Sequence, residues 1–127
     1  MSGDAIVDPA HIRFAVLSTD VALFTVRDDE LLVRLISVNR PPHFPNSHGM
    51  PGGLIDPKET AEQAALRILR AKTAIETPVY VEQLYTFGDR GRHARLGDTE
   101  VHVASIGYLA LTRAADNAAR AAGATFE

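Results

Sequence analysis

Cysteine is absent from the 127 residues, which excludes a disulfide scaffold, thiolate chemistry and any zinc site built on cysteine. Long apolar runs are missing too, and without one no bilayer-spanning segment is expected. The opening Met1-Ser2-Gly3-Asp4-Ala5 has no basic stretch leading into an apolar one, so no secretion signal is expected and a cytoplasmic protein is the default. Charge of one sign is also in short supply. Thirteen Lys and Arg stand against sixteen Asp and Glu, a net −3, which excludes a surface built to coat nucleic acid throughout. No repeat at a solenoid period and no Ser-His-Asp arrangement is visible. What is present is an ordinary globular composition, 46% hydrophobic and 23% charged, at a length that suits one domain over residues 1–127.

Along the chain, residues 12–17 are mostly apolar but short and interrupted by Arg13. Residues 21–26 and 31–38 are rich in β-branched side chains and predict two strands. The polar Arg27-Asp28-Asp29-Glu30 between them has hairpin length, although Asp-Asp is a weaker turn signal than Asn-Gly. Residues 39–53 carry four prolines and three glycines, which predicts a shaped loop rather than a helix or central strand. Thr60 and Gln63 form a capping-box pair, and Ala61, Ala65, Ile68 and Leu69 share one helical side, predicting a helix over residues 60–73. Residues 79–87 and 101–112 predict two further strands, separated by an arginine-rich loop over residues 88–98. Residues 113–122 are alanine-rich, a short helix or a linker, and residues 124–127 look like the start of one more strand. This order predicts a mixed α/β layer architecture.

One segment is more specific. Gly53-Leu54-Ile55-Asp56-Pro57-Lys58-Glu59, followed by seven residues and Arg67, resembles the first half of the Nudix box. Leu69 and Ile75 fall on its apolar positions, and Pro51-Gly52-Gly53 matches its usual lead-in. The resemblance extends over about residues 20–112. The box places three glutamates at i, i+3 and i+4 on one helical face, where their hard oxygens hold magnesium on a pyrophosphate. Here those positions are Ile68, Ala71 and Lys72, and the box's closing glycine is Ala74. A carboxylate about 4 Å from a divalent ion contributes roughly 8 kcal/mol at an effective dielectric near 20, so losing all three removes the metal site. Glu59 and Arg67 remain, as a structural ion pair between loop and helix or as direct participants. Lys72 has two readings: an ammonium standing where the metal would be and meeting a diphosphate directly, or a solvated helix lysine.

Residues 66–75 with residues 81–89 resemble one branch, the Nudix-related transcriptional regulators of NAD metabolism, whose Nudix domain is similar to ADP-ribose pyrophosphatases. The resemblance implies an α+β Nudix fold: an α/β/α sandwich on a mixed sheet, lacking its usual last strand and helix. The chain would then be a piece of a longer protein or a shortened relative. It implies binding of ADP-ribose or a related nucleoside diphosphate without cutting it, with no catalytic residue, no metal ligand and no cofactor. It further implies a homodimer that contacts DNA only through a winged-helix domain not contained in this sequence. The ligand-binding residues implied are Arg40, Gly52, Gly53, Glu59, Arg67, Lys72, Arg90 and Arg92. The alternatives are a magnesium-dependent hydrolase drawing carboxylates from Glu59, Glu62 or Glu82, and an interaction module with a vestigial pocket. Arg90, Arg92, His93 and Arg95 form a basic loop that holds phosphate or DNA, or is solvated and balanced by Asp89, Asp98 and Glu100. His43 and His48 lack a third metal ligand nearby. Phe44, Tyr85 and Phe87 stack on an adenine or belong to the core.

Overall fold

The computed structural model describes residues 8–11, 14–41, 44–96, 99–113 and 125–126. After a short 3₁₀ turn at Pro9–His11 come β1 (Ala15–Arg27), β2 (Glu30–Arg40), β3 (Phe44–Gly49) and β4 (Gly52–Leu54). A single described helix, α1 (Ala61–Thr73), leads to β5 (Tyr80–Phe87), β6 (His93–Leu96), β7 (Thr99–Leu111) and β8 (Thr125–Phe126). The main sheet runs β3-β2-β1-β7-β5, with β4 on β1, β6 on β7 and β8 on β2. β1 and β7 run parallel, from Ala15↔His102 to Phe24↔Leu111, while the other pairings are antiparallel. The sheet is therefore mixed, as expected for an α+β Nudix fold.

The β1–β2 hairpin closes on Asp28 and Asp29, whose φ values of 53° and 62° are both left-handed. That is the twist-matching geometry of a two-residue hairpin, and aspartate is among the few residues that adopt it at modest cost. Along β1, Thr19, Val21, Leu23 and Thr25 alternate into the core, where Val21 and Leu23 meet Ala65 and Leu69 of α1 and Tyr108 and Ala110 of β7. The hydroxyls of Thr19 and Thr25 reach backbone partners across the sheet: Thr19 donates to the Ile106 carbonyl at 2.7 Å and Thr25 to that of Thr112 at 2.9 Å.

The helix forms where its caps place it. The Thr60 hydroxyl accepts from the Gln63 backbone N–H at 3.1 Å and the Gln63 side chain accepts from the Thr60 N–H at 2.9 Å, which satisfies two otherwise orphaned donors. At the other end Ala74 sits at φ 61° and its N–H reaches the Arg70 carbonyl at 3.1 Å. This left-handed cap explains why the box ordinarily has a glycine there, since a Cβ is penalised in that conformation.

Several expectations are corrected. The proline-rich segment is not a plain loop but contains β3 and β4; Pro45 is accommodated because β3 lies at the sheet edge, where a missing N–H costs no ladder bond. The arginine-rich segment likewise holds β6. Phe44, Tyr85 and Phe87 are exposed rather than core, with Tyr85 and Phe87 meeting edge to face at 5.1 Å. Arg34, by contrast, is completely buried on β2. The short terminal strand is present as β8; the alanine-rich segment past Arg113 and His43 lie outside the described residues. Among the described residues no helix is long and apolar enough to cross a membrane.

Candidate functional site

The site begins with a fork in the sheet. From Phe24 to Arg27, β1 pairs with β2, but at Ser18–Asp20 its neighbour is β4 instead, with Asp20 opposite Gly52 and Ser18 opposite Leu54. β2 has meanwhile turned to β3, pairing Ile36 with Gly49. Between the two arms lies a cleft of about 360 Å³, within the roughly 300–1,000 Å³ typical of small-molecule sites. Ile36, Val38, Met50 and Leu54 supply its apolar wall. Its polar wall comes from Ser18, Asp20, Lys72 and Arg92, with Gly52 and Gly53 between.

Each of these is placed for a local reason. A Cβ at Gly52 would overlap the Asp20 carboxylate and lie 3.1 Å from the Thr19 carbonyl oxygen, so only glycine lets β4 pass over that carboxylate. A Cβ at Gly53 would press to 3.3 Å from Ile68 Cδ1, which is how β4 packs tightly on α1. Lys72, on the last turn of α1, is half-buried and donates its ammonium to the Gly52 carbonyl oxygen. Asp20 accepts the hydroxyl of Ser105, a residue buried on β7. Arg92 is exposed at the cleft's edge. The turn bearing it is tied down by His102, whose Nε2 lies 2.8 Å from the Gly88 carbonyl oxygen and 3.1 Å from that of Asp89.

Glu59 and Arg67 form the ion pair expected of them, outside the cleft. Arg67 Nη2 lies 2.6 Å from Glu59 Oε1 and its Nε 3.0 Å from Oε2. The same Nη2 donates to the Leu54 carbonyl at 2.9 Å, and the Asp56 N–H donates to Glu59 Oε1 at 2.9 Å. Hydrogen bonding from Arg67, then the Asp56 N–H and last the Arg67 charge, hold the Glu59 carboxyl below its ordinary range, and Glu59 raises Arg67 in return. The pair fastens the segment after β4 to the middle of α1. Of the eight predicted ligand residues, the cleft thus gathers Gly52, Gly53, Lys72 and Arg92. Arg90 is exposed in the preceding turn and does not line the cleft. Arg40 enters through its backbone, opposite Phe44; its side chain lies outside what is described.

Sequence reasoning missed Asp20 and Ser105. The signal available was a carboxylate inside an otherwise apolar and β-branched strand, on the opposite phase from Val21 and Leu23. Their partnership spans 85 positions, which no local pattern reveals.

The magnesium that a complete Nudix box implies does not fit these residues. Ile68 is buried against Gly53, at 2% exposure, Ala71 offers no donor, and Lys72 brings a positive charge to the cleft. Among the described residues no three His, Asp or Glu side chains are grouped to hold a metal. The cleft is lined by two cations instead, Lys72 and Arg92.

Comparison with known proteins bears on the fold and the family. The NUDIX domain profile matches residues 17–124. The Nudix domain of Shewanella oneidensis NrtR, solved with ADP ribose, is 38% identical, covering 84% of this chain and 66% of that one at a TM-score of 0.67. NrtR from the same organism complexed with a 27mer DNA is 35% identical over 87% of this chain, at a TM-score of 0.69; this chain spans 49% of its length. A mutT/nudix family protein from Listeria innocua is 25% identical, covering 90% of this chain and 79% of that one at a TM-score of 0.71. No curated protein matches. With its profile match, its fold and its degenerate box in register, the chain belongs to the Nudix family.

Proposed function

We propose that this domain binds ADP-ribose or a related nucleoside diphosphate as a sensor and does not hydrolyse it. The observation that carries the reading is Lys72: where the box has a metal-binding carboxylate, an ammonium is held at the cleft by the Gly52 carbonyl. A fixed cation there balances diphosphate charge directly, while the loss of the metal removes both the Lewis acid and the activated water that hydrolysis requires. The likeness to the Shewanella domain solved with ADP ribose supports the ligand class. The hydrolase alternative would need carboxylates from elsewhere, and the candidates are dispersed. Glu59 is held by Arg67, Glu82 accepts the Tyr80 hydroxyl at 2.5 Å, Glu62 lies on the first turn of α1, and none of the three lines the cleft.

Titration calorimetry with ADP-ribose, in EDTA and then in magnesium or manganese, with AMP release followed in parallel, tests this. Binding heat in EDTA and no AMP with either metal is expected; metal-dependent AMP release would overturn it. The wider role we propose is a homodimeric regulator of NAD metabolism with DNA engaged by a separate domain; the DNA part of it draws support from the likeness to NrtR, solved with a 27mer DNA. Sedimentation of the chain at micromolar concentration checks the dimer, and a monomer at all concentrations would count against it.

A further inference from the structure

The cleft contains one residue that a diphosphate alone does not call for. Asp20 is half-buried on its wall, and a carboxylate beside a phosphate repels it. Its surroundings nevertheless hold it open to the cleft. Ser105, 1% exposed, donates its hydroxyl to Oδ2, fixing the carboxylate's orientation. Gly52 passes over Oδ1 with no side chain to cover it, and Ser18 lines the cleft two residues along the same strand. An ionised carboxylate can only accept hydrogen bonds, so its complement is a ligand group that donates at two neighbouring positions. The adenine edge alternates donor with acceptor and is matched by an amide side chain, which does both. A pair of vicinal sugar hydroxyls donates twice and matches a carboxylate.

Resting on the reading of this cleft as a nucleoside diphosphate site, we propose that Asp20, positioned by Ser105, accepts the vicinal hydroxyls of a sugar carried beyond the diphosphate. Asp20 is then a specificity determinant: it selects a sugar-terminated nucleoside diphosphate and disfavours the bare nucleoside diphosphate, whose terminal phosphate would face the carboxylate.

The test compares ADP-ribose with ADP by calorimetry in EDTA, on the unmodified chain and on Asp20→Asn and Ser105→Ala. The unmodified chain is expected to bind ADP-ribose about tenfold or more tighter than ADP, as charge-assisted hydrogen bonds to the sugar allow. Asp20→Asn is expected to weaken ADP-ribose about tenfold and to leave ADP unchanged or severalfold tighter, so that the preference collapses. Ser105→Ala is expected to lose a smaller part of the preference, about threefold, because it frees the carboxylate without removing it. Equal affinities for the two ligands in the unmodified chain would overturn the proposal and leave the diphosphate site standing, whether or not the variants fold. Equal weakening of both ligands by Asp20→Asn, at unchanged far-ultraviolet dichroism, would assign Asp20 a purely structural role and overturn it too. Binding of neither ligand would overturn the site itself and this proposal with it.

Discussion

Lys72 decides more than any other single side chain, because one substitution relative to the box both removes a metal ligand and supplies a cation. Lys72→Gln retains much of the side chain's length and a donor but loses the charge. It is expected to weaken ADP-ribose binding about tenfold or more, the order of a lost charge-assisted contact, which calorimetry in EDTA reads directly. Glu59 gives a prediction in pH. Its folded carboxyl titrates below its ordinary value of 4.5 because of Arg67 and the Asp56 N–H. The stability it contributes is therefore fully present above the unfolded value and is lost as pH falls through the depressed folded one. Glu59→Gln is expected to lower the melting temperature at pH 7, and the gap to the unmodified chain is expected to narrow as pH falls below the unfolded value of 4.5. Melting curves taken from pH 7 downward check the sign. At this scale the sequence was legible where partners are close along the chain. Glu59 and Arg67 were foreseen as a pair because both lie in one recognisable motif. Asp20 and Ser105 were not, because only the parallel joining of β1 to β7 brings them together.

The elements tell the same story through their termini. Helix α1 was legible from its capping box and its apolar side, both local properties, and Thr60→Ala is expected to cost about 1 kcal/mol of stability by removing the side-chain cap, measurable by urea unfolding. Ala74 offers the opposite change. Since it occupies a left-handed φ of 61°, Ala74→Gly is expected to stabilise by about 0.5–1 kcal/mol. Restoring the box is harder than breaking it. Ile68 is packed between the core and Gly53, so Ile68→Glu would bury a carboxylate without a partner and is expected to cost about 3 kcal/mol or more in the same assay. The edge strands were illegible for an equally physical reason. β3 carries Pro45 and Asn46, the latter at φ 49°, and β6 is four residues long. Neither has a periodic pattern of its own; each is a strand only because a longer one, β2 or β7, lies beside it.

For the molecule as a whole, mixed-sheet architecture followed from the alternation of strand and helix patterns together with the motif, and the structure agrees. The cleft itself did not follow, since a fork between β2 and β4 depends on where β1 changes neighbours, a question of register rather than composition. Ligand binding should be visible globally. At a ligand concentration one hundred times Kd, a native-state ligand stabilises by about 2.7 kcal/mol, and a rise in melting temperature with ADP-ribose is expected to persist in EDTA. A rise seen only with added divalent metal would contradict the metal-free reading.

The brevity of β4 has a kinetic consequence. Three residues pair it to β1, and the Lys72 ammonium holds its first carbonyl from the helix side, so it is fastened at few points and is expected to open far more often than the core strands. A ligand seated against both β1 and Lys72 would bridge that seam. Amide protons along Gly52–Leu54 would then exchange with deuterium at a rate set by ligand departure, while those of β7 would hardly notice the ligand. This three-residue strand would thus act as the clock on which occupancy of the cleft can be read.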